Sequence, residues 1–285
     1  MSPYLQDGPV IAMLIGVLAS AVIHLSQGLM KLGIQRIRTP EPVAGLSGRT
    51  LHVTGMALNF TAPLWVILAN RFAPTPFFTS MYATGLLVLL AFSCYKMGEC
   101  LRPVQVAGAG VIVAGTLLIA GGEYIAGTPS MASVDPRIVI AVAAGWLLAT
   151  PVLGWFMLGR RTVARELVFG LAAGGFLALD ALLKGLAQAD PEGSTFLPQT
   201  PAAWGLFAAS FVGAAGAFGM MQWGFACGCR ASIVAANYNV GYVMVPLLVV
   251  PLATTGAGIG WWCVAGVALL ALGVMAVQRE GAPAQ

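Results

Sequence analysis

The chain has 285 residues, of which 59% are hydrophobic and 8% charged, against about 25% charged in ordinary soluble domains. With a mean hydropathy of +0.87, this excludes a soluble enzyme on one anchor, a disordered chain and a nucleic-acid-binding protein. The apolar runs are continuous rather than alternating, which excludes a β-barrel and leaves an all-α polytopic membrane protein.

Charges are so sparse that the gaps between them count the spans, each of which needs about 20 apolar residues. Residues 8–30 give 23, Arg49 to Arg71 encloses 21, Arg71 to Lys96 encloses 24, and Arg102 to Glu123 encloses 20. Arg137 to Arg160 encloses 22, and Glu166 to Asp190 encloses 23, including Asp180 and Lys184. After Glu192 the polar, proline-broken stretch 193–201 precedes 28 uncharged residues. The last gap, 231–278, holds 48 and is divided by the turn-like T-T-G-A-G-I-G at 254–260, so it counts twice. The total is nine transmembrane helices in a single membrane domain.

Lys and Arg orient the bundle. With nine spans, one side collects Lys31, Arg36, Arg38, Arg49, Lys96, Arg102, Arg160, Arg161, Arg165, Arg230 and Arg279, which is 11 of the 14 basic residues. That side is predicted to be cytoplasmic and to hold the C-terminus, with the N-terminus outside, in the cell (inner) membrane. No basic segment precedes the first apolar run, so helix 1 is not expected to be a cleaved signal peptide. Cys94, Cys100, Cys227 and Cys229 fall at the cytoplasmic helix ends, where disulfides are not expected. Their spacing matches no standard zinc site, and no cofactor is expected.

Two halves overlay with an offset near 155. Q-G-L-M-K at 27–31 matches D-A-L-L-K at 180–184, and Gly108 and Gly115 match Gly266 and Gly273. Helices 1–4 (residues 1–126) then map onto helices 6–9 (164–285), with helix 5 as linker (127–163). An offset of five spans inverts the halves across the membrane, the usual construction of alternating-access transporters with a site near the midplane.

The polar residues within spans are the candidates for the solute path. At about 1.5 Å per residue, His24, Gln27, Asn237, Tyr238 and Asn239 fall in the cytoplasmic half, and Asp180, Lys184, Ser80 and Tyr82 in the outer half. Two polar layers are thus expected, with Ser80 and Tyr82 matching Asn237 and Asn239. Intramembrane charges are costly and point to function, although Asp180 and Lys184, four apart on one face, would also neutralise each other, with Lys184 snorkelling outward. His24 has the simpler reading of a bond to a neighbouring helix. The three successive residues at 237–239 point in three directions, so they cannot all serve one interface. Pro63 and Pro246 mark possible bends, and Ser210, Gly213, Gly216 and Ala217 read as a helix-packing face.

The run G-E-C-L-R-P-V-Q-V-A-G-A-G-V-I-V-A-G at 98–115 resembles the pattern around the fourth helix of the drug/metabolite transporter superfamily, at Gly98, Glu99, Gln105, Gly108, Ile112 and Gly115. K-L-G-I-Q-R at 31–36 resembles the basic end of that superfamily's first helix. Nine spans with an outside N-terminus, together with A-N-R-F-A-P at 69–74, L-K-G-L at 183–186 and R-A-S-I-V at 230–234, are similar to its NIPA magnesium-transporter branch. The resemblance implies an EamA-like inverted repeat and Mg²⁺ transport. That branch carries an acidic residue in its second helix, whereas 50–70 here has no carboxylate. Mg²⁺ wants oxygen ligands, and within the bundle Asp180 is the one carboxylate on offer.

Three functions follow. The first is a transporter of a small organic metabolite, with Asp180–Lys184 or His24 available for proton coupling. The second is a divalent-cation transporter with Asp180 as ligand, and the third is a non-transporting scaffold subunit. Enzyme chemistry is not expected, since no H-E-x-x-H, G-x-S-x-G or phosphate-binding glycine loop is present. The partners expected are the lipid bilayer and the solute or ion, with a second copy of the chain left open and nucleic acid excluded.

Overall fold

The computed structural model describes residues 7–38, 46–98, 102–127, 129–190, 193–255 and 258–278. The helices are α1 (Gly8–Arg38), α2 (Gly48–Asn70), α3 (Thr75–Met97), α4 (Pro103–Ala126), α5 (Pro136–Met157), α6 (Thr162–Gln188), α7 (Pro201–Ala226), α8 (Ala231–Leu252) and α9 (Trp261–Gln278). Among the described residues the first eight are long and apolar enough to cross a membrane, and α9 is a shorter apolar helix. The chain is therefore a helical, multi-pass membrane protein. After α6 a two-residue antiparallel ladder, β1 (Ala189–Asp190) with β2 (Gly193–Ser194), opens the loop where the sequence predicts no regular structure. Glu99, Cys100, Glu192 and Arg279 lie outside the described residues.

Polar side chains and prolines set the helix starts. Ser47 accepts from Thr50 N at 3.1 Å before α2, and Thr200 accepts from Ala203 N at 3.2 Å before α7. Asp135 accepts from Arg137 N at 2.9 Å with Pro136 next to it, and α4 begins at Pro103. Helix α1 runs eight residues past the predicted end at Met30. Lys31 does not mark a terminus, because its Nζ donates to Cys229 O at 2.8 Å inside the bundle.

Two helices are broken near their middles. In α2 the regular helix stops at Asn59 and resumes at Ala62. Pro63 has no N–H for Asn59 O and would clash with it, so the break falls just before the proline. Thr61 repairs it by donating to Leu58 O from its backbone N (3.1 Å) and its Oγ1 (2.7 Å). In α3 the α-helix of Thr75–Ser80 passes through a 3₁₀ turn at Tyr82–Thr84 before resuming at Gly85. The proline signals differ in outcome: α8 stays helical through Pro246.

Glycines bring the backbones together. Helices α1 and α2 run antiparallel, with Gly33 against Gly48 and His52, and Gly55 against Ser26 and Met30. Helices α1 and α3 run parallel, with Gly16 against Phe78 and Met81, and Gly85 against Ser20. The same arrangement recurs among α6, α7 and α8. Gly213 approaches Phe176 and Asp180 from the antiparallel α7, while Gly170 approaches Val234 and Asn237 of the parallel α8. Helices α4 and α9 cross at Gly108 opposite Gly273 and Gly115 opposite Gly266.

A Cβ at Gly273 would lie 2.6 Å from both Gly108 O and Ile112 Cγ1, whereas one at Gly110 meets nothing within 4 Å. Gly273→Leu is therefore expected to destabilise the protein by about 2 kcal/mol, read as a lower melting temperature in detergent, while Gly110→Leu stays close to wild type. Equal melting of the two variants would show that the α4–α9 crossing is not tight.

Candidate functional site

Helices α1, α3 and α8 meet around one buried polar group. Ser20 Oγ donates to Tyr82 O and accepts from Gly85 N at 2.8 Å, serving the backbone of the α3 break from the neighbouring helix. One turn further along α1, His24 Nδ1 lies 2.8 Å from Ser20 O, and its Nε2 lies 2.9 Å from Asn239 Nδ2. The same Asn239 Nδ2 donates to Ala235 O at 2.9 Å. Its two hydrogens serve those two acceptors, so His24 Nε2 accepts and the ring proton sits on Nδ1, donating to Ser20 O. This is a neutral histidine bridging α1 and α8.

Aromatic rings surround it. Tyr82 and Tyr238 lie 5.4 and 6.5 Å from the His24 ring, centroid to centroid. Tyr242 packs 4.5 Å from Tyr82 and stacks on Tyr238 at 6.2 Å with a 10° interplanar angle. Among the described residues several polar atoms here are buried with no hydrogen-bond partner: the Tyr242 hydroxyl, Asn239 Oδ1, and both amide atoms of Gln27, which follows His24 by three residues on α1.

His24, Tyr82, Tyr238 and Asn239 thus form one cluster, not the two layers expected from depth counting. The midpoint of α1 moves to His24 because the helix continues to Arg38, and the 3₁₀ turn places Tyr82 beside it. Ser80 is elsewhere, with its Oγ donating to Phe77 O at 3.1 Å within α3. Asn237 faces α6, donating to Ile233 O at 3.0 Å and Glu166 O at 3.4 Å.

Asp180 and Lys184 pair within α6, both fully buried. Lys184 does not snorkel outward. Its Nζ returns to Asp180 Oδ1 and is covered by the Phe211 ring, 4.3 Å from the centroid. The Asp180 carboxylate also meets the Ser210 hydroxyl of α7 and lies within electrostatic reach of Tyr238 and Tyr242. Among the described residues, no group of three or more His, Cys, Asp or Glu comes together.

Hydrogen bonds close the bundle on both sides of the cluster. At the end rich in basic residues, Lys31, Arg38 and Arg165 donate to Cys229 O (2.8 Å), Ala226 O (3.0 Å) and Cys227 O (3.3 Å), the carbonyls of the last residue of α7 and of the turn that leads to α8. Beside them Glu166 accepts from Arg230 N, Nε and a terminal guanidinium nitrogen at 2.8, 2.9 and 2.8 Å. Burial pushes the Cys229 thiol up to about 11, so it stays neutral. At the other end Asn70 Nδ2 donates to Gln188 Oε1 at 3.1 Å and Thr75 Oγ1 to Asn70 Oδ1 at 3.1 Å, while Gln188 Nε2 reaches Ile67 O at 3.0 Å.

Sequence reasoning passes over Ser20, Tyr242, Glu166 and the Asn70–Gln188 pair. Ser20 stands four residues before His24, a spacing that places both on one helix face. Glu166 and Arg230 are far apart in sequence and carry no local signal.

Two cavities lie within the bundle, and one of them reaches the site. One, of about 210 Å³, lies between α1, α2, α6 and α7 and reaches Tyr238. The other, of about 370 Å³, lies among α3, α4, α8 and α9 beside Glu123, whose Oε1 accepts from Trp262 Nε1 at 3.4 Å and Cys263 Sγ at 3.3 Å. Neither a family model, nor a curated protein, nor a solved structure matches the chain.

Glu166 is fully buried, whereas the Arg230 side chain is 38% exposed. Arg230→Ala strands a buried carboxylate, while Glu166→Gln leaves a guanidinium that reaches water. Arg230→Ala is expected to cost about 3 kcal/mol of stability and Glu166→Gln about 1 kcal/mol. The reverse order in chemical denaturation would contradict this reading of the pair.

Proposed function

We propose that the chain is a transporter that moves a small organic solute by alternating access, and that residues 1–126 and 164–285 are inverted repeats joined by 127–163. The observation that carries this reading is the set of buried, unpartnered polar atoms on α1 and α8 beside His24, namely both amide atoms of Gln27, Asn239 Oδ1 and the Tyr242 hydroxyl. Each such atom costs about 1–3 kcal/mol in the absence of a partner, a cost that a scaffold has no reason to bear and a solute site does.

Contacts support the repeat. Gly16 meets Phe78 and Met81, and Gly170 meets Val234 and Asn237, in the same geometry within each half. Gly85 and Gly241 likewise approach α1 and α6. At the α4–α9 crossing, Gly108 and Gly115 are the counterparts of Gly266 and Gly273, and Gly108 faces Gly273 while Gly115 faces Gly266. That exchange of partners is the pattern of a two-fold axis. This register pairs Tyr82 with Tyr238, one residue from the pairing with Asn239 that polarity alone suggests.

His24 is the group we assign to proton coupling. Protonation turns its Nε2 from acceptor into donor, facing the Asn239 amide that already donates to it. The bond between the two halves is then lost. The basic end is assigned to the cytoplasm, in the cell membrane. Organic solute takes precedence over Mg²⁺ because Asp180 already holds Lys184 and, among the described residues, no group of three or more His, Cys, Asp or Glu comes together.

Proteoliposomes are expected to take up one or more of a panel of small organic solutes saturably, faster with a pH gradient and not at all with Tyr82→Ala. His24→Gln is expected to keep solute-for-solute exchange and lose acceleration by the gradient. Acceleration that persists in His24→Gln removes histidine from the coupling. Saturable Mg²⁺ entry that Asp180→Asn abolishes, without organic uptake, replaces this reading with cation transport.

A further inference from the structure

The 210 Å³ cavity is lined by residues midway along its helices and runs from exposed Phe60 to buried Tyr238. Its mouth lies at the break in α2, where Phe60 is 64% exposed. The Phe60 ring packs 5.5 Å from Phe218 of α7 across the opening. Phe60 is near the centre of Gly48–Asn70, and Ala214 and Ala215 are near the centre of Pro201–Ala226. The opening therefore faces the middle of the apolar belt, not either end of the bundle. Its floor is Tyr238, a member of the tyrosine–histidine cluster.

The walls are apolar, among them Ile23, Met30, Leu177, Phe211 and Met221, and Asn59 and Tyr238 are the polar lining residues. Asn59 Oδ1 accepts from Ser26 Oγ at 3.4 Å. Among the described residues no charged side chain lines the cavity, so an ion taking this route would shed its hydration without compensation. Phe211 stands between the cavity and the Lys184 ammonium.

We propose that this cavity is a side entrance from the membrane interior and that the solute is a small amphiphile, an apolar ring or short chain bearing one hydrogen-bonding group. The proposal rests on the transporter reading above and names its substrate class. Apolar cavities of about 150 Å³ hold benzene, so this one accommodates a substituted aromatic ring. Methionine walls adapt to different shapes. The single polar group of such a solute finds Asn59 at the mouth and Tyr238 at the floor. While both ends of the bundle are bridged, the side opening is the route by which a molecule dissolved in lipid reaches Tyr238.

The test uses the full chain in lipid nanodiscs and an alkylphenol whose alkyl chain carries a photoactivatable diazirine. Labelling is expected on 59–63, 211–221 and Tyr238, saturable and competed by the unlabelled alkylphenol. Ala214→Trp, which fills the cavity, is expected to cut that labelling about tenfold, equivalent to 1.4 kcal/mol, and Phe60→Ala, which widens the mouth, to raise it. Labelling spread evenly onto exposed Leu148 and Trp155 of α5, or unchanged in both variants, overturns the side entrance. Because labelling is read without transport, confined and competed labelling with no solute movement keeps the entrance and removes the transporter reading. Uptake of a membrane-impermeant ionic solute that Ala214→Trp leaves intact, without label in the cavity, keeps the transporter and removes the entrance.

Discussion

The N–H of Gly85 and the carbonyl of Tyr82 lose regular helical partners where α3 breaks, and the Ser20 hydroxyl of α1 serves both. In an apolar bundle every backbone group must be satisfied within the protein, and this constraint shapes the centre of the molecule. A break in α3 is tolerable only where a polar side chain of α1 lies against it. Ser20 is held there by the close approach of Gly16 and Gly85. Its own carbonyl in turn orients His24, which reaches Asn239. Backbone repair and the polar cluster are therefore one structure. One residue, Ser20, repairs the α3 break with its hydroxyl and takes the histidine's proton on its carbonyl.

The same accounting explains why basic side chains lie inside the basic end of the bundle and not only at its surface. The turn after α7 serves the carbonyls of Trp223, Gly224 and Phe225 with its own N–H groups, and Arg38, Arg165 and Lys31 of two other helices serve those of Ala226, Cys227 and Cys229. A cation at a helix C-terminus also meets the negative end of the helix dipole. Residues that the sequence assigns to topology alone thus tie α1 and α6 to the start of α8.

Position along each helix is legible in the sequence, and direction around it is not. Charge-free gaps locate the helices because hydration of a charge is costly to lose, and they fail at Lys31, where a backbone carbonyl replaces the water. Gly108, Gly115, Gly266 and Gly273 stand out by spacing, and the structure gathers them in one crossing. The two expected polar layers merge into one because depth counting assumes straight helices that end at the first charge. Asn237 and Asn239 are two residues apart and indistinguishable by polarity, yet one faces α6 and the other His24. That difference is an azimuth of about 200°, set by where Gly170 lets α6 approach. Glu166 is legible as a charge but not as a partner, since pairing with Arg230 depends on the fold of the whole second half.

The two closures differ in chemistry, and this bears on which opens more readily. The basic end is held by charged donors on carbonyls and by the Arg230–Glu166 ion pair, whose carboxylate alone is fully buried, and charge-assisted hydrogen bonds are roughly twice as strong as neutral ones. The opposite end is held by Asn70, Gln188 and Thr75, all neutral. Neutral amides exchange partners with water at small net cost. Separating Arg230 from Glu166, by contrast, leaves a carboxylate that must find water at once. Opening at the neutral end disturbs the bonds of α6 to the α2–α3 junction and leaves α1 anchored on α7. Opening at the basic end releases α1 itself, the helix that carries both Ser20 and His24. On the transport reading proposed above, movement at that end would be tied to the polar cluster through α1, which carries Ser20 and His24 and reaches the carbonyls of Ala226 and Cys229.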